Sequence, residues 1–159
     1  MAVDIELACN KVQALVRTLA PTYIQYAPDM EHYATALHDA ICPYVFTWPG
    51  AGSWSQKGGG YKIDERELTL FCMVESLGQK DIPLRTVQGV RALQAIRNLF
   101  IVPANIPLTS IDEYGYQITI ESRADSPQSD SGLRSDLPFS GVPWFGFSIP
   151  LKVRIQWIV

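Results

Sequence analysis

From Phe145 onward the chain alternates without a break. Phe145, Phe147, Ile149, Leu151, Val153, Ile155 and Trp157 share one parity; Gly146, Ser148, Pro150, Lys152, Arg154 and Gln156 share the other. A period of two predicts a strand with one apolar face and one wet, basic face. At about 3.3 Å per residue it reaches roughly 40 Å, well beyond the usual five or six residues. Gly146 and Pro150 mark a bulge or an edge position, because proline has no amide proton to give a ladder. Residues 66–75 alternate in the same way, with Leu68, Leu70, Cys72 and Val74 on one face. Phe71 and Met73 lie on the other face between acids, which predicts that this second face is partly covered too.

The period changes to 3.6 at residues 4–19, where Ala8, Val12, Leu15, Val16 and Leu19 form one side of a helix. Asn10, Lys11, Gln13, Arg17 and Thr18 fall on the rest of its surface. Asp4 can cap the first turn, Glu6 and Arg17 suit the two ends of the dipole, and Pro21 stops the helix. A second helix runs from a cap at Asp81 to about residue 101, with Pro83 in its first turn and Pro103 closing it. Its expected buried stripe is Val90, Leu93, Ile96 and Phe100. Residues 41–48 and 116–123 read as strands, the first with Pro43 at its start; a short helical turn fits 31–38. The segment 49–60, with five glycines, and the segment 124–143, rich in Asp, Ser, Pro and Gly, read as long loops.

The order helix, strand, strand, helix, strand, strand predicts an α+β domain over 1–159. Its expected form is a mainly antiparallel four-stranded sheet with two amphipathic helices on one face and long β-hairpin loops. A chain of 159 residues buries about 70% of its unfolded surface, enough for a core without staples. The net charge of −3 argues against a nucleic-acid grip, which needs clustered Lys and Arg. Only 18% of residues are charged, less than the usual quarter, leaving an uncharged surface that suits association. Three scattered cysteines, Cys9, Cys42 and Cys72, read as reduced core thiols. The first residues do not read as a signal peptide, and no run of eighteen apolar residues suggests a membrane span.

Reactive constellations are sparse. His32 and His38 stand six apart, about 240° around a helix or roughly 20 Å along a strand, so they do not make a local metal pair. His38 and Cys42, with Asp39 alongside, would bring a thiol to an imidazole on a helix, but Pro43 argues against a helix there. The 49–60 loop lacks the Gly-Lys-Ser/Thr end of a phosphate loop. Trp48, Trp54 and Tyr61 flank its glycines, and Lys57 is its only charge. The loop reads either as a mobile tip or as a docking arm with aromatic anchors. Glu65 and Glu67 read as a solvated face. Arg85, Arg91 and Arg97 spread around the second helix, so that some emerge at the sheet margins, where acids of another subunit can pair with them. These residues predict no enzyme, no metal and no cofactor.

The opening helix, the Tyr26-Ala27-Pro28-Asp29 step before the first strand and the glycine-rich hairpin followed by strand, helix and two closing strands form one pattern. With the ending Phe147-Ser148-Ile149-Pro150-Leu151-Lys152-Val153 and the Trp157 finish, the chain resembles the tail terminator (tail completion, or neck) proteins of long-tailed bacteriophages. The resemblance is one of order rather than of a diagnostic motif. It implies a structural virion protein, assembled in the host cytoplasm, that closes into a ring, usually of six copies. Such a ring caps the tail-tube protein, ends tube polymerisation and meets the head–tail connector or adaptor; DNA only passes through its channel. It implies no catalytic residue. The two hairpins would be the arms toward partners, including Leu133, Phe139 and Trp144 in and beside the 124–143 insertion. A head–tail adaptor, a tail-tube subunit or a small cysteine-dependent hydrolase stand as alternatives.

Overall fold

The computed structural model describes residues 4–36, 41–57, 61–76, 82–101, 108–111, 117–121, 130–139 and 141–158. Helix α1 (Asp4–Arg17) is followed by a single 3-10 turn at Met30–His32, then by strands β1 (Tyr44–Lys57) and β2 (Tyr61–Ser76). Helix α2 (Ile82–Ile101) precedes β3 (Leu108–Ile111), β4 (Gln117–Glu121), β5 (Arg134–Phe139) and β6 (Val142–Ile158). The strands form one sheet in the order β1-β2-β6-β4-β3, with β5 also on β6, and every pairing between them is antiparallel. The α+β architecture is as the sequence predicts, and its four expected strands are β1, β2, β4 and β6.

The sheet is larger than four strands, for two local reasons. Residues 134–139, expected within a loop, fold back on the start of β6 as β5, with Leu137 opposite Trp144. Gly141, at φ +77°, turns the chain between them in a left-handed conformation that favours glycine. The short β3 adds a further strand outside β4. Of the expected 49–60 loop, residues 49–57 are strand, and 58–60 lie outside the described residues. Residues 49–57 continue β1 against β2 down to the pair Lys57 and Tyr61, after a bulge between Pro49 and Gly52. Glycines lower strand propensity, but a bulge accommodates them and the partner strand supplies the ladder.

Register explains why two faces are buried. Leu68, Leu70 and Cys72 stand opposite Leu151, Ile149 and Phe147. With Ala8, Cys9, Val12 and Val16 of α1 and Ala92, Ile96 and Phe100 of α2 they form one core cluster. The opposite face carries a second cluster of Cys42, Tyr44, Phe46, Met73, Leu137 and Trp144. Phe46 stacks on Phe71 at 5.1 Å and meets Phe139 edge-on at 5.6 Å. Phe71 and Met73 thus have the cover that their parity predicts.

Two helical details depart from the pattern. In α2 the inward arc is Gly89, Ala92, Ile96 and Phe100, whereas Val90 is 48% exposed. Gly89 faces Leu133 and Phe145, and a Cβ there would stand 3.0 Å from the Leu133 side chain, so the helix turns its smallest residue to the sheet. In α1 the polar line Asn10, Gln13, Arg17 is engaged by the rest of the chain, although Arg17 stays exposed. Asn10 accepts from the Met30 amide at 2.8 Å, and Arg17 reaches the Ala27 carbonyl at 2.9 Å and Asp29 at 2.7 Å. Gln13 is fully buried; its amide donates to the carbonyls of Pro28 (2.8 Å) and Val45 (2.9 Å) and accepts from Thr47 Oγ1 (2.8 Å). Spacings of three and four residues align these side chains, so α1 grips the 27–30 segment and β1 with its polar arc.

Strand β6 is the spine. It pairs with β2 along its length, with β5 over 142–146 and with β4 over 152–156. Pro150 falls in the gap between β5 and β4, where its missing amide costs no ladder bond on that side. Ser131 fills the gap beside it, donating its amide to the Ser148 carbonyl and accepting from the Ser148 amide, at 2.9 and 2.8 Å. The β2–β6 register shifts between Met73 and Glu75, opposite Gly146, where a Cβ would overlap the Cys72 carbonyl. Both interruptions foreseen in the terminal strand therefore have a structural cause.

Candidate functional site

The outer edge of β1 changes character along its length. At its start the outward backbone groups are occupied. The Val45 amide donates to the Tyr26 carbonyl at 2.9 Å, and the Val45 carbonyl receives the Gln13 amide. The Tyr33 hydroxyl then serves Thr47 twice, accepting its amide at 2.9 Å and donating to its carbonyl at 2.8 Å. Burial pushes the Tyr33 pKa up, so the hydroxyl keeps the proton it donates. One side chain thereby stands in for a strand. Pro49 follows with no amide to offer, and the Gly50 carbonyl takes Arg66 at 3.0 Å. Beyond the bulge, residues 51–56 are all exposed, and among the described residues nothing pairs with their outer edge.

The bulge also re-aims the aromatic side chains. Trp48 lies opposite Thr69, on the face of Tyr44 and Phe46, whereas Trp54 lies opposite Asp64, on the face of Leu68. An unbroken strand would put two even-numbered residues on one face; one extra residue moves the second to the other. The two indoles, 58% and 79% exposed, straddle the edge from opposite sides. Lys57 and Tyr61 pair across the end of the ribbon.

The remaining expected interface residues divide. Arg85 lies 3.3 Å from the buried Glu75 and bonds Gln88 at 2.8 Å, so its charge is met within its own subunit. Arg91 is exposed and borders a concavity of about 460 Å³ with Tyr23, Gln25, Cys42 and Gln88. Leu133 packs half-buried under α2 on the first core, Phe139 on the second, and Trp144 is 4% exposed within the second. These three hold β5 and β6 to the body of the subunit, because their hairpin folds onto the sheet instead of protruding. Leu133 and Phe139 keep part of their surface, and Trp144 almost none.

A second concavity, of about 450 Å³, lies along 51–53, 65–67 and 152–154. Its charges alternate across strands: Glu65 faces Arg154 at 3.8 Å, and Glu67 is in register with Lys152. This is the solvated face expected of Glu65 and Glu67. Beneath it Arg66 holds the 8% exposed Asp64 at 3.2 Å.

The three cysteines are buried thiols, none of them joined in a disulfide. Burial pushes the Cys9 thiol up to about 12 and the Cys72 thiol up as well, so neither is a thiolate at neutral pH. His38, and with it the His38–Cys42 pairing, lies outside the described residues, as do the side chains of the expected caps Asp4 and Asp81. His32 is exposed beside Glu31 at 3.3 Å. Among the described residues no three His, Cys, Asp or Glu side chains gather as a metal site, and no helix is long and apolar enough to cross a membrane. Gln13 and Tyr33, which shape the edge, carry no motif; the polar line on α1 was the one sequence signal available for Gln13. Neither a scan against protein-family models nor a search of curated proteins finds a match.

Proposed function

We propose that the chain is a structural subunit of a phage tail neck, a tail terminator that closes into a ring, caps the tail-tube protein and presents a surface to the head–tail connector. The observation that carries this reading is the outer edge of β1 beyond the bulge, where residues 51–56 are uncharged and exposed, with Trp54 on one face of the strand and Trp48, before the bulge, on the other. Exposed tryptophans beside unsatisfied strand edges favour protein contact, because each buries a large apolar area at small entropic cost. Edge-on contact repeated by rotation suits a ring, since a heterologous interface ends when it closes. The order of elements and the terminal strand that resemble the tail terminators supply the particular assignment.

Mixing the purified chain with a long-tailed phage's tail-tube protein tests it, with native mass and electron microscopy as readouts. The expected result is a discrete ring and tubes of arrested length. Continuous polymerisation of the chain alone would indicate a tube subunit. Failure to arrest or decorate tubes would refute the terminator reading.

A further inference from the structure

We infer that neighbouring copies join by strand addition, the distal edge of β1 (residues 52–56) accepting β3 of the next copy so that one sheet runs on into another. This rests on the ring reading above. The sheet order β1-β2-β6-β4-β3 leaves β1 at one end and β3 at the other. A subunit with two different open ends repeats head to tail, which is the heterologous geometry that closes into a ring.

The two edges match in kind. Residues 52–56 read Gly-Ser-Trp-Ser-Gln, and β3 reads Leu-Thr-Ser-Ile, both without charge or proline. Among the described residues, nothing pairs with the outer side of either. The competing edge, β5, is blunted. It carries Pro138 and an exposed Arg134–Asp136 pair at 2.8 Å, features that discourage strand addition. Nearer the start of β1, Tyr33 and Gln13 occupy the outward groups of Thr47 and Val45, so addition is confined to the distal part.

Area supports a second copy as the occupant. The exposed parts of Trp48 and Trp54 amount to about 300 Å², given about 200 Å² for a whole indole side chain. That is more than a third of the roughly 800 Å² one partner contributes to a standard interface.

Cross-linking between engineered thiols decides the matter. The native cysteines are buried, so the parent chain treated with a short bis-maleimide gives the background. The variant Ser53→Cys with Thr109→Cys should yield a covalent ladder ending at the ring size found by native mass. Ser55→Cys with Thr109→Cys samples a second register that keeps the same sheet face. Each single variant alone should give no ladder, and a mixture of the two singles should give dimers. A ring by native mass without a ladder in either double variant would overturn the strand addition while leaving the ring. Dimers from Ser53→Cys alone would mean β1 pairing with β1, which also overturns it. A chain that stays monomeric at every concentration would overturn both readings.

Discussion

Replacing Gln13 with leucine removes three buried hydrogen bonds at once while keeping helix propensity and roughly the side-chain volume. The Pro28 and Val45 carbonyls lose a donor and Thr47 Oγ1 loses its acceptor, all in a region closed to water. Leaving a buried polar group unmet costs about 1–3 kcal/mol each, so the three together cost about 3–9 kcal/mol before the new apolar contacts reduce it. A domain of this size has a total of order 10 kcal/mol. The melting temperature should therefore fall by roughly 10 °C or more, at about 3 °C per kcal/mol. Urea unfolding followed by circular dichroism measures the change directly. The double variant Gln13→Leu, Thr47→Val removes one orphaned group and should recover about 1 kcal/mol. A change below about 1 kcal/mol for Gln13→Leu alone would refute the view that α1 clamps the chain to β1 through this amide.

Other variants probe other levels. Gly146→Ala should prevent folding or cost several kcal/mol, since its Cβ meets the Cys72 carbonyl; near-normal urea stability would contradict the bulge geometry. Val153→Asp places a carboxylate on the buried face of β6 and should leave the chain insoluble or unfolded by circular dichroism. Trp54→Ala should leave the melting temperature of the monomer unchanged and weaken assembly in native mass, because that side chain is 79% exposed. Raising the pH should destabilise the fold from about pH 9. Above the ordinary thiol value of 9.0 the unfolded chain ionises at Cys9 while the folded chain holds that proton to about 12, and Cys72 shifts in the same direction. Stability present below pH 9 is thus lost as pH rises, at about 1.4 kcal/mol per pH unit for each thiol, and Cys9→Ala should flatten the slope in pH-dependent urea titrations.

Period two in β2 and β6 and the 3.6 spacing of α1 and α2 were enough to place the main elements, because each buries one face and the burden of burial is written into alternation. Phe71 and Met73 even announced the second covered face. The composition of 49–57 could not announce a strand, since Pro49, Gly50 and Gly52 signal a turn wherever no neighbour is specified; the ladder to β2 supplies what local propensity lacks. The same holds for 134–139, where Pro138 and Asp136 speak against a strand and only the pairing of Leu137 with Trp144 decides for one. Gln13, Tyr33 and Arg85 are polar groups whose partners lie 10 to 34 residues away or on another element, and a single chain of letters does not state which distant carbonyls will need them. The side to which Trp48 and Trp54 point was likewise undecided by parity, because one extra residue at the bulge reverses it. Local pattern fixes which faces are apolar; pairing across the sheet decides which edge and which aromatic side chains are left for a neighbour.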